Sequence, residues 1–117
     1  MSDLSDSAVA EPKKKKRASP KDDKPKPQPP YAVIVLDDDL HTFPYVIETF
    51  QKVFGFAAEK AFKLAEEIHL RGETIVWSGT RELAELKQEQ VRSAGTDYYA
   101  RPPVKFPLGV RVEPLPG

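Results

Sequence analysis

The sequence predicts an α+β domain, a small sheet with helices packed on one face, preceded by a disordered tail. Three observations carry this expectation. The first thirty residues are rich in Pro and Lys and hold only a handful of apolar positions. After them the patterns run strand, helix, helix, strand, helix, strand. The first two helical segments each carry their apolar residues in one stripe. The order argues against a doubly wound parallel sheet, because only one strand is followed by a single helix and then another strand.

The tail comes first. The chain has 117 residues, no cysteine, one tryptophan and formal net charge zero, which limits it to one small domain with no thiolate metal site and no disulfide framework. Residues 1–30 hold eight Lys or Arg against five Asp or Glu and six of the twelve prolines, whereas residues 31–117 hold ten against thirteen. The halves therefore carry about +3 and −3, and the first has too little apolar surface to offset the entropy of ordering. We divide the chain at Pro30 into a tail, 1–30, and a domain, 31–117. "PKKKKR" (Pro12 to Arg17) has the composition of an import signal or nucleic-acid arm, but Asp22 and Asp23 dilute its field and no nucleic-acid partner is expected. No apolar stretch approaches the roughly 20 residues needed to span a bilayer, and "MSDLSDSAVAEP" lacks the apolar centre of a signal peptide. The expectation is a soluble cytoplasmic protein with no membrane partner.

The elements come in order along the chain. "YAVIVL" (Tyr31 to Leu36) is β-branched and apolar and stops at acids, as a covered strand does. Thr42 is placed to cap a helix with Pro44 in its first turn, where a missing N–H is harmless, and Val46, Phe50, Val53 and Phe54 give that helix a core stripe ending near Gly55. A second helix is expected from about Ala57 to Leu70, with Ala61, Leu64, Ala65 and Ile68 on one face and Gly72 as its stop. "ETIVWSG" reads as a strand, "TRELAELKQEQVRSAG" as a helix capped by Thr80 and stopped by Gly95, and "LGVRVEPL" as an edge strand after the irregular "TDYYARPPVKFP".

The chemistry is concentrated in "DDDLH" (Asp37 to His41), where three readings compete. Acids at the end of a first strand are how phospho-accepting receiver domains hold Mg²⁺, but a second strand-end Asp is missing: residues 82–86 are "ELAEL", on a helix. Asp37, Asp39 and His41 are a possible transition-metal set, though crowded into five residues with no distant partner. The second reading is solvated carboxylates favouring the positive end of a helix dipole. The third joins the helices: packed side by side, they bring the acids near His69, with Phe43, Val46, Ala65 and Ile68 between. Such a cleft has acceptors at its rim and an apolar floor, which suits an α-ammonium group with three N–H donors and an apolar side chain beside it.

These stretches, "YAVIVLDDDLHTFPYVIETFQKVFGF", "EKAFKLAEEIHLRGETIVWSG" and "RELAELKQEQV", resemble the ClpS-type adaptor domain from about Tyr31 to Val112. The strand-end acids with a helix close behind, and the ending Ile68, His69, Gly72 before a strand, carry the resemblance. It implies three antiparallel strands with three helices, and a non-enzymatic adaptor that delivers N-degron substrates to a Clp-type AAA+ ATPase of the ClpA or ClpC kind. It also implies that Asp37, Asp38, His41 and His69 meet the substrate's N-terminus, and that Phe43, Val46, Ala65 and Ile68 line the hydrophobic pocket for a bulky first residue. No catalytic residue, cofactor or metal is expected, and the chain is expected to be a monomer.

Two positions depart from the family pattern. Asp37 stands where the family usually has Asn, and an ionised carboxylate cannot donate a hydrogen bond as an amide does. Ala65 stands where a larger side chain, often Met, is common. An alternative therefore stays open, a docking module that keeps the fold and modulates the Clp ATPase without recognising N-degrons. The resemblance also gives the tail a use, since a flexible extension of roughly 30 residues reaches tens of ångströms during substrate hand-off.

Overall fold

A computed structural model describes residues 28–116. The proposed tail up to position 27, with its "PKKKKR" run, lies outside the described residues. Among the described residues no helix is long and apolar enough to cross a membrane.

The apolar run Tyr31–Leu36 forms β1, with Ala32, Val33, Ile34 and Val35 buried in succession. Val33 and Val35 join the core on one face, Ala32 and Ile34 lie on the other, and β1 is the central strand. It pairs antiparallel with β2 (Glu73–Gly79) on one side and β3 (Gly109–Pro114) on the other, in the order β2-β1-β3. The β1–β2 register runs from Tyr31 opposite Gly79 to Leu36 opposite Glu73, with a bulge between Val33 and Ile34. β3 is an edge strand, as its alternation predicts, and Leu115 N–H donates to the Pro30 carbonyl just beyond it.

Between β1 and β2 lie α1 (Phe43–Phe54) and α2 (Ala58–Arg71). The Thr42 hydroxyl caps α1 by accepting from Tyr45 N–H, Pro44 sits in the first turn, and Gly55 ends the helix at φ 73°. α2 starts without a side-chain cap and ends at Gly72, whose φ of 89° is one a side chain would strain. Its buried positions include Ala61 and Ala65, small enough to let α1 lie close alongside.

The third helix, α3 (Arg81–Arg92), is capped by Thr80 and closes at Ser93 rather than running on to the expected Gly95. Val91, fully buried, is its last core residue; beyond it the chain turns towards α1, where the Tyr45 hydroxyl donates to the Gly95 carbonyl at 2.6 Å. All three helices join Val33 and Val35 in one core, with Phe50 fully buried within it. Tyr45 and Thr49 are buried too, so the stripe of α1 is wider than the sequence pattern indicates. The segment between α3 and β3 is ordered by a bridge between Asp97 and Val104, made through two backbone hydrogen bonds of 2.8 and 3.1 Å.

Candidate functional site

A backbone hydrogen bond fixes where the acids at the end of β1 begin. Asp37 N–H donates to the Gly72 carbonyl at 2.9 Å, so the end of the first strand is fastened to the end of α2. That bond requires the left-handed turn at Gly72 and brings the acidic turn beside His69. Asp37, Asp39 and His69 consequently present three nitrogen or oxygen atoms all within 4.8 Å of one another. Asp39 contributes because it adopts φ 65°, a conformation that short polar residues tolerate better than most. Of the metal set read from the sequence, His41 is not part of this group; His69, from another element, takes its place.

His41 does something else. Its side chain is 2% exposed, against 22% for Asp38, with Nδ1 against the Asp38 carboxylate and Nε2 2.9 Å from the Phe106 carbonyl. Asp38 Oδ1 also accepts from Leu40 N–H at 2.9 Å and His41 N–H at 2.8 Å. Asp38 thus folds the turn around itself. The two neighbouring acids differ accordingly. Burial, followed by the hydrogen bond and charge of Asp39, holds the Asp37 carboxyl above its ordinary value, with His69 pulling the other way. At Asp38 desolvation acts in the same upward sense, but the N–H groups of His41 and Leu40 and the His41 ring outweigh it and hold the carboxyl below its ordinary value.

Between α1, α2 and the turn lies a hollow whose wall includes Asp37, Asp38, His41, Phe43, Val46, Ala65, Ile68 and His69, together with Val35, Leu36 and Leu108. The eight positions singled out from the sequence thus lie around one cavity. Phe43 stands at its edge, its ring 5.7 Å from that of His69 and 6.0 Å from Phe62, both edge to face. The enclosed space is about 20 Å³, room for little more than one water. Phe43, half-buried, supplies the phenyl ring of its wall.

Asp97 is a residue that sequence reasoning passed over. It is fully buried, and its carboxylate accepts from Thr42 N–H at 2.8 Å, from the Thr42 hydroxyl, and from Tyr99 N–H. An Asp in an irregular segment gives no local sign of such burial. Phe106, whose carbonyl meets His41, is equally silent in sequence.

Fold and hollow together define a small α+β domain with carboxylates at the rim of an apolar recess. Known proteins resolve it further. Residues 26–108 match the family ATP-dependent Clp protease adaptor protein ClpS. The chain is 44% identical to the ClpS adapter of Nostoc sp. over 71 residues, 60% of this chain and 73% of that protein. It is 41% identical to the ClpS adapter of Thermosynechococcus vestitus over 68 residues, 57% and 72% of the two. Among solved structures, Agrobacterium tumefaciens ClpS2 bound to L-phenylalaninamide superposes with a TM-score of 0.62 at 25% identity, over 76% of this chain and 100% of that one. The chain belongs to the ClpS family of Clp protease adaptors, and its general role is that of an adaptor.

Proposed function

We propose that this adaptor captures the free N-terminal residue of substrate proteins and presents them to a Clp-type ATPase. The observation that carries the proposal is the meeting, at one hollow, of a cluster of acceptors and an apolar wall drawn from both helices. An α-ammonium group brings three donors and a positive charge, and Asp37 with His69 at the rim offers acceptors for them. Asp38 adds its charge while fixing the turn, and His41 keeps Asp38 in place. Val46, Ala65 and Ile68 receive the first side chain, with Phe43 at the mouth. L-phenylalaninamide, the ligand of the solved relative, has these two features, a free α-amino group and an apolar side chain.

The chemistry required is recognition. Charge attraction and hydrogen bonds fix the chain end, and apolar contact selects the side chain it carries. The tail, 1–30, serves as a tether in hand-off, and the domain, 31–117, as the capture unit. The tightness of the hollow favours a second reading, docking on the ATPase without N-degron recognition.

A peptide array varying only the first residue separates the two. Binding of peptides that begin with Leu, Phe, Trp or Tyr in the micromolar range or tighter, against none for Gly or Asp, supports capture. Retention of the ATPase in a pull-down with no preference for any first residue supports docking alone.

A further inference from the structure

Beside the hollow lies a wider groove of about 780 Å³, with Leu40 and Thr42 on one wall and the segment from Tyr99 to Phe106 on the other. We propose that this groove receives residues two to four of a captured substrate, and that it favours acidic side chains there. The proposal rests on the reading of the hollow as the site of the N-terminal residue.

Hollow and groove are neighbours. The turn that supplies Asp37, Asp38 and His41 to the hollow supplies Leu40 and Thr42 to the groove. His41 lines the hollow, while Phe106, whose carbonyl is 2.9 Å from His41 Nε2 and whose ring centroid is 5.1 Å from that of His41, lines the groove. One residue pair thus separates the two cavities. An extended chain advances roughly 3.3–3.6 Å per residue, so residues two to four of a captured peptide reach roughly 10 Å beyond the first.

Charge and surface point the same way. Two cations, Arg101 and Lys105, line the groove and are exposed, and no carboxylate lines it. Among the described residues neither takes part in an ion pair. Two acids lie close by but outside the groove lining: Glu48, which accepts from the Tyr99 hydroxyl, and Asp97, which is fully buried and accepts from the Thr42, Tyr99 and Ala100 N–H groups. Leu40 and Phe106 leave 57% and 46% of their surface open, which gives a substrate backbone apolar ground between the cations. The chain's own residues 1–30 carry about +3, the same sign as Arg101 and Lys105, so a substrate chain suits the groove better than the tail does.

The groove is also preorganised. Asp97 fastens the segment to the cap of α1, and the Asp97–Val104 bridge closes it, so the groove stands ready before a peptide arrives.

The test uses fluorescence-labelled peptides with a free N-terminal Phe and Asp, Ser or Lys at positions two to four, titrated into the full chain. The acidic peptides are expected to bind roughly fivefold or more tighter than the lysine peptides at low salt, with the ratio falling towards one in high salt. The double variant Arg101→Glu with Lys105→Glu is expected to reverse the ranking, its thermal midpoint showing that it still folds. A flat series, with first-residue discrimination intact, overturns the groove and leaves the hollow standing. Loss of first-residue discrimination in the unaltered protein overturns both. A flat series together with a changed sedimentation coefficient on charge reversal assigns the groove to a second copy of the chain, and overturns the proposal.

Discussion

Asp97 and Thr42, fifty-five residues apart in the chain, meet through a 2.8 Å hydrogen bond from Thr42 N–H and a 3.1 Å bond from its hydroxyl. The same hydroxyl oxygen accepts from Tyr45 N–H, so the buried carboxylate orients the cap of α1. A negative charge here also faces the positive end of the helix dipole. Replacing Asp97 by Ala strands several buried donors and is expected to cost about 3 kcal/mol in urea unfolding. Asp97→Asn keeps one acceptor and is expected to cost less. Peptide capture weakens in both, in the same order, because the turn loses its brace.

Asp37 presents the opposite balance. Its carboxyl is held above its ordinary value, so at neutral pH its ionised form opposes folding, and the opposition is relieved as pH falls through that raised value. Asp37→Asn is therefore expected to raise the thermal midpoint slightly, because it removes a partly buried charge and its repulsion with Asp39. Asp37→Ala, which removes the acceptor as well, is expected to bind peptides more weakly without unfolding. A destabilised Asp37→Asn protein contradicts this account.

Asp38 carries the reverse sign. Its carboxyl is held below its ordinary value, so its stabilising contribution is present above the unfolded value near 3.9 and is lost as pH falls through the lower folded value. The stability difference between the unaltered chain and Asp38→Asn is expected to be constant near neutrality and to shrink below about pH 4. Capture has a different profile. It falls in acid as Asp37 takes up a proton, above the ordinary carboxylate value, and falls again above about pH 8 as the peptide's α-ammonium deprotonates.

Phe50 and Arg111 set the scale of core against surface. Phe50 is fully buried, and Phe50→Ala is expected to cost about 4 kcal/mol. Arg111 pairs with both Glu73 and Glu113 on the open side of the sheet, but in solvent, so Arg111→Ala is expected to leave the midpoint of the same unfolding assay nearly unchanged.

Local signals made the elements legible. Thr42 and Thr80 as caps, Gly55 and Gly72 as stops, and the period of Val46 and Phe50 depend only on neighbours within a turn or two, so sequence exposes them. Gly95 misled because a glycine in the left-handed region also serves in a loop, and the helix had run out of core residues at Val91. At the hollow, residue identities were visible in the short motifs around Asp37 and His69. The division of labour among the acids was not. It depends on φ at Asp39, on the bond from Asp37 to Gly72 and on a carbonyl at Phe106, and none of these leaves a mark in residue type. Asp97 was hidden for the same reason, since its partners lie far off in sequence.

The central claim is that carboxylates at the hollow hold a cationic chain end while its wall takes the first side chain. Titrating the full chain with a Phe-leading peptide and its N-acetylated twin tests it most directly. The account predicts a Kd in the micromolar range or tighter for the free amine and a loss of at least roughly a hundredfold on acetylation, because the charge and two donors disappear together. Equal affinity for the two peptides contradicts it.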